Sequence, residues 1–135
     1  MDNLIFLLYV KDQGASRDFY SAFFGSLPTL DVPGMTEFEL LPKVRVGMMP
    51  ESGISKLITP PLPAPSTASG VPRCELYLRV SNAQAWVERG LAAGATLVRA
   101  TARMDWGEVV TYLADGDGHV IAVAEMDNGL VYMKK

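Results

Sequence analysis

Glu75, Tyr77 and Arg79 alternate along one short stretch, with Leu76 and Leu78 between them. Strand periodicity puts a carboxylate, a phenol and a guanidinium on one face and the leucines on the other. Such a trio can bind the polar group of a ligand, or let Glu75 act as a general base while Tyr77 or Arg79 steadies an anion. The plainer alternative is that Glu75 and Arg79 pair with neighbouring strands or line an interface between chains. Other reactive groups are few. His119 is the one histidine, hence the one ordinary acid-base side chain near neutral pH, and a multi-histidine metal site is excluded. It closes the run Asp115-Gly-Asp-Gly-His119, where turn geometry is its expected use. Asp115 and Asp117 lack the full acidic spacing of a calcium loop and read as a solvated turn. Cys74, with no histidine near it in sequence, reads as an inert buried thiol. Met35, Met48, Met49 and Met104, with Phe38, Trp106 and Tyr112, can build either a soft apolar pocket or plain core. Trp106 stands apart because it sits beside Gly107 in an expected loop.

The composition narrows the partners. In 135 residues, 49% are hydrophobic and 20% charged, ample for a real core, and the formal net charge is −3 with no basic run. That argues against nucleic acid or an anionic membrane surface as partner. One cysteine excludes an internal disulfide, no apolar run reaches the length of a membrane span, and the first residues lack the basic region and cleavage site of a signal peptide. The expected compartment is the cytoplasm, and the expected ligand is small.

The groups above must be held by elements that the sequence writes twice. Ile5 to Asp12 leads into a helical segment with Phe19, Tyr20, Phe23 and Phe24, ending at Gly25; Glu75 to Asn82 leads into another with Trp86, Val87 and Leu91, ending at Gly94. A period of about 70 residues implies two copies of one supersecondary unit. In the first, Leu4 to Val10 reads as a strand covered on both faces, Ala15 to Phe24 as a helix, and Leu27 to Asp31, Thr36 to Leu41 and Val44 to Met49 as strands separated by Pro33-Gly34 and Pro42-Lys43. In the second, a helix over Ala83 to Ala93 precedes strands at Thr96 to Arg99, Val109 to Ala114 and Val120 to Glu125. The expectation is one domain over 1–135: module 1 (1–49), a proline-rich linker (50–73) with at most a helical turn over Ile54 to Ile58, module 2 (74–126), and a tail (127–135) able to add an edge strand.

A doubled strand-helix-three-strand unit with Tyr9 to Asp12, Ser16, Phe19 and Tyr20, then Trp106-Gly107, then Tyr112 to Ala122 around an Asp-Gly-His turn resembles the vicinal oxygen chelate superfamily. This is the superfamily of glyoxalases, bleomycin-resistance proteins and extradiol dioxygenases. The resemblance covers nearly the whole chain. It implies an α+β fold in which two βαβββ modules form a cupped mixed sheet around a small-molecule cavity. The family's metal enzymes take His or Gln from the first strand of a unit and Glu from its last. Those positions fall here at Ile5, near Gly47, at Glu75 and at Ala122. Three of the four have no donor side chain, so the family metal site is expected to be absent, with Glu75 alone remaining.

The expected function is therefore metal-free binding of a small, partly aromatic molecule, as in the antibiotic-sequestering branch. The ligand would be lined by Ile5, Leu7, Tyr9, Arg45, Met49, Glu75, Tyr77, Arg79, Trp106 and Ala122. If position 47 faces the cavity, so do Arg45 and Met49, while Val46 and Met48 face the helix. The cavity is expected to be apolar on the Ile5, Leu7 and Tyr9 side and polar on the Glu75, Tyr77 and Arg79 side. The alternative is a lyase, isomerase or dioxygenase of the glyoxalase type, with an unconventional metal site or with Glu75 as general base. A homodimer is expected because short sheets leave exposed edges and relatives often close their cavities with a second chain.

Overall fold

Asp12 and Asn82, 70 residues apart, each start a helix in the computed structural model, which describes residues 1–126. The edge strand expected in the tail lies outside the described residues. Each cap side chain accepts a hydrogen bond from the amide three residues on, at 3.0 Å to Ala15 and 3.3 Å to Ala85. Each helix stops at a glycine in the left-handed region, Gly25 at φ 69° and Gly94 at φ 112°, where a side chain would be strained. The chain divides into two compact units, Met1–Gly70 and a second beginning at Val71.

The first unit runs β1 (Leu4–Val10), α1 (Gln13–Phe24), β2 (Leu30–Val32), β3 (Met35–Leu41), β4 (Val44–Pro50) and α2 (Glu51–Ile58), followed by a 3-10 turn at Pro65–Ala68. Its sheet has the order β1-β4-β3-β2, with β1 parallel to β4 and the other pairs antiparallel. Helix α1 drives Tyr20 and Phe23 into the core over Leu8, Val10, Phe38, Val46 and Met48, all buried. Phe24 completes the packing with its ring 5.3 Å from that of Phe38. Val46 and Met48 thus lie on the helix side, and Arg45, Gly47 and Met49 on the other, opposite Ile5, Leu7 and Tyr9 of β1.

Three local expectations change. β1 is not covered on both faces: Leu8 and Val10 are buried, but Phe6 is 57% exposed, because α1 packs on β3 and β4 rather than along this edge strand. β2 starts only at Leu30, since Pro28 has no amide to donate and Leu27 is exposed. The stretch after Pro50 opens with two turns of helix rather than an extended path. Its prolines begin only at Pro60, and Ile54 finds a buried place.

The second unit runs β5 (Glu75–Arg79), α3 (Ala83–Ala93), β6 (Thr96–Arg103), β7 (Glu108–Ala114) and β8 (Val120–Met126). The order β5-β8-β7-β6 repeats that of the first unit. β6 continues four residues past the expected end at Arg99, because two register shifts against β7 absorb its irregular Ala-Thr-Ala stretch. On the α3 side Leu113, Ile121 and Val123 are fully buried. On the opposite side Ala122 and Ala124 of β8 form with Val110 a second small core under Tyr77, Met104 and Tyr112.

Gly47 is the tightest backbone position in the first sheet. A Cβ there would stand 2.8 Å from Leu7 Cδ2 and 2.9 Å from the Thr36 carbonyl oxygen. The leucine can turn away but the carbonyl is fixed by the sheet. Gly47→Ala is expected to lower folding stability by about 1 to 3 kcal/mol, the usual range for overpacking, as measured by urea unfolding.

Candidate functional site

Burial of a carboxylate organises the face of the second sheet opposite α3. Glu108, the first residue of β7, is 1% exposed. An isolated charge at such a place is costly and must be neutralised by close partners. Arg79 Nε donates to Glu108 Oε2 at 2.8 Å and Arg79 Nη2 to Oε1 at 3.4 Å. The Tyr77 hydroxyl donates to Glu108 Oε1 at 2.5 Å. Trp106 Nε1 in turn donates to the Tyr77 oxygen at 2.7 Å. Arg79 also lies over the Tyr77 ring, 5.3 Å from its centre.

Backbone geometry explains why these four meet. Tyr77 and Arg79 stand opposite Ala122 and Ala124 of β8, and those alanines stand opposite Tyr112 and Val110 of β7. Because β8 offers only methyl groups at Ala122 and Ala124, side chains from β5 and β7 reach each other across these two positions. The hairpin tip between β6 and β7 closes through Met104 N to Glu108 O at 2.8 Å and Gly107 N to Met104 O at 3.1 Å, bringing Trp106 back over Tyr77. Burial, and then the Glu108 carboxylate, push the ionisation of Tyr77 upward; Trp106 and Arg79 pull the other way without cancelling them.

The expected lining residues of this unit separate accordingly. Tyr77, Arg79 and Trp106 come together, and Ala122 lies fully buried between Tyr77 and Tyr112. Glu75, on the same strand face, is exposed and makes no hydrogen bond or ion pair among the described residues. Glu108 is the group that sequence reasoning missed. Beginning the strand at Val109 left it in the loop, although carrying the alternation of Tyr112 and Val110 back one step would have put it on this face. In the first unit Ile5, Leu7, Tyr9, Arg45 and Met49 share the face opposite α1. That face is less apolar than expected, because Glu37, 7% exposed, binds Arg45 at 2.9 Å and Glu39 approaches the same guanidinium at 3.4 Å.

The residues present do not fit the family's metal. At Gly47 the packing just described leaves no space for a donor side chain, and Leu7 occupies it. Ala122 is enclosed by its strand neighbours, and Ile5 is aliphatic. A different cluster, Asp115, Asp117 and His119, gathers potential ligand atoms within 4.8 Å. It is buried rather than solvated, and its donors are engaged. Asp115 Oδ1 accepts from the amides of Asp117 and His119 at 2.9 Å, and Asp115 Oδ2 meets His119 Nδ1 at 2.9 Å. Arg73 Nη2 sits 3.3 Å from His119 Nε2 and donates to the Asp117 carbonyl at 2.9 Å. A guanidinium in that place opposes a cation, so the cluster is a clamp tying the β7–β8 turn to the chain entering β5. Cys74 is exposed rather than buried. Partial burial of its thiol and the nearby Asp115 nonetheless push its ionisation up, against the thiolate, with Arg73 pulling the other way.

On the α3 side a cavity of about 450 Å³ lies among Gln84, Val87, Thr101, Thr111 and Glu125. Glu125 there accepts from the Ala83 amide at 2.8 Å, and the two threonine hydroxyls bond each other at 2.5 Å. No helix among the described residues is long and apolar enough to cross a membrane.

A family model described as a glyoxalase-like domain matches residues 4–127. None of the curated proteins matches the chain. Among solved structures, a glyoxalase-related enzyme from Fulvimarina pelagi is similar at TM-score 0.76 and 23% identity, over 90% of this chain and 85% of that one. A glyoxalase/bleomycin resistance protein/dioxygenase from Nocardioides is similar at TM-score 0.76 and 20% identity, over 100% and 89% of the two chains. A family enzyme of the same description from Burkholderia phytofirmans is similar at TM-score 0.76 and 18% identity, over 91% and 97%. At these identities the likeness establishes the fold.

Three outcomes follow from these contacts. A tyrosine whose ionisation is raised on folding contributes stability that is complete below its unfolded value, about pH 10, and lost as pH rises through the folded value. The alkaline fall in stability should therefore be shallower in Tyr77→Phe, and in Glu108→Gln the Tyr77 phenol should ionise at lower pH, as read by difference absorbance against Tyr77→Phe. His119→Ala, which strips Asp115 Oδ2 of a buried partner, should cost about 1 to 3 kcal/mol in urea unfolding.

Proposed function

Because this chain belongs to the glyoxalase-like domain family, we propose that it is a metal-independent member that binds a small, partly aromatic molecule. Tyr77, Arg79 and Glu108 are the polar anchor and Tyr112 a flat apolar wall, and Trp106 covers the Tyr77 oxygen where the ligand's polar end would sit. The single observation that carries this reading is the nearly complete burial of Glu108 beneath an arginine 61% exposed and a tryptophan 55% exposed. A structural ion pair needs no such presentation. Here a guanidinium and an indole stand at the surface over a carboxylate already paired, a few polar groups placed among apolar ones as small-molecule sites favour.

The metal-free part of the reading is supported by the donor count. A divalent ion needs several deprotonated ligands, and Ile5, Gly47 and Ala122 supply none. Glu75 stays within the proposed site as an exposed carboxylate at its margin. The same reading puts the protein in the cytoplasm as a homodimer, with β6, exposed along nearly all its length, as a sheet edge that no other described strand covers.

Elemental analysis with native mass spectrometry of the purified protein tests the proposal. The expected result is less than stoichiometric zinc, nickel, iron or manganese, a mass near twice 14.7 kDa, and a copurifying organic molecule whose retention is lost in Glu108→Gln. One tightly held metal per chain that Glu75→Gln releases would contradict it.

A further inference from the structure

The hydrogen-bond count at one oxygen defines the chemistry of the ligand's polar end. A phenol has one proton to give and lone pairs to accept with. The Tyr77 proton is given to Glu108 Oε1, and a carboxylate paired with a guanidinium accepts only. What Tyr77 shows to the hairpin tip is therefore an acceptor, and Trp106 Nε1–H uses it at 2.7 Å. Trp106 is 55% exposed, so the indole is only partly held by burial and this bond fixes its polar edge. Below, Val110, Ala122 and Ala124 are already covered by Tyr77, Met104 and Tyr112, so a flat ring in the indole's place would stand over Tyr77 as Trp106 does.

We propose that Trp106 stands in for the ligand, and that the ligand is a flat aromatic molecule bearing an N–H or O–H donor, which takes the Tyr77 oxygen from the Trp106 indole. This rests on the reading that the Tyr77–Glu108 face is the binding surface, and deepens it by naming the donor. A carboxylate or other anion in the same place would meet the lone pairs of Tyr77 with the Glu108 charge behind them. The raised ionisation of Tyr77 agrees, because its proton then stays on the phenol, directed to Glu108, through the neutral range. Arg79 lies at the margin of this position, and a ligand seated there instead would be recognised by its acceptors.

The test uses the full chain, labelled with nitrogen-15 and carrying Trp86→Phe so that Trp106 gives the one indole N–H signal. Indole, 1-methylindole and benzoate are the probes: a flat donor, the same shape without its donor, and a flat anion. Indole is expected to move the Trp106 Nε1–H signal and the amides of Tyr77 and Glu108, and to bind roughly tenfold tighter than 1-methylindole, the factor that one net hydrogen bond supplies. Tyr77→Phe should erase that preference. Trp106→Phe, which removes the competing donor and leaves Tyr77 intact, should tighten indole binding severalfold. Equal affinity for indole and 1-methylindole, tightest binding of benzoate, or no gain in Trp106→Phe would overturn the donor assignment while leaving the face as a binding surface. If no probe moves the signals of Tyr77, Glu108 or Trp106, both the assignment and the reading beneath it fall.

Discussion

A carboxylate with almost none of its surface exposed has to be neutralised where it lies, and in the second unit this requirement accounts for the placing of Arg79, Tyr77 and Trp106 together. Desolvation of Glu108 costs several kcal/mol unless opposite charge and hydrogen bonds replace the lost water. Arg79 supplies the charge and one aligned donor, Tyr77 supplies another, and Trp106 is recruited to the oxygen that Tyr77 has left over. Each partner comes from a different distance in sequence: two from β5, one from the hairpin tip, and the carboxylate from the start of β7. The two alanines of β8 let these groups touch. A larger residue at either position would stand between the side chains of β5 and β7.

The repeat shows how one architecture carries different chemistry. Both units start the helix that follows their first strand on a side-chain cap, stop it on a left-handed glycine, and order their strands alike. The charge pairs nonetheless differ. In the first unit Glu37 and Arg45 meet across adjacent strands, whereas in the second Glu108 and Arg79 meet across an intervening strand. Fold and function are separable in this sense: caps, glycines and apolar alternation fix the elements, and a few face positions decide what they do. At Ile5, Gly47 and Ala122 those positions favour packing over coordination. Gly47 makes the point sharply, since Leu7 fills the space that a ligand side chain would need.

Much of the fold was legible because its signals are local. Gly25 and Gly94 and the alternation Glu75-Tyr77-Arg79 each report their own neighbourhood, and α3 occupies the residues the pattern assigns, whereas α1 begins at Gln13, two residues before the expected Ala15, because Asp12 caps it. What was illegible depends on pairing. β6 continues to Arg103 only because β7 is there to hold it, and β1 is partly exposed only because α1 packs elsewhere. The site divides in the same way. Tyr77, Arg79 and Trp106 were visible by type and spacing. Glu108 was not, because a glutamate beside a loop glycine is ordinarily solvated, and only the crossing of β8 reveals that it is buried. The Asp115 to His119 turn misled for the same reason, since Arg73, more than forty residues away in sequence, seals it.

The central claim is that Glu108 is held by Arg79 tightly enough to make the surface above it a fixed recognition element. A double-mutant cycle on folding stability, with Arg79→Gln, Glu108→Gln and both together, measures that coupling directly. The account predicts a coupling of about 1.5 to 3 kcal/mol, the range for a hydrogen bond to a charged group. Additive effects, with no coupling beyond the scatter of distant pairs, would contradict it.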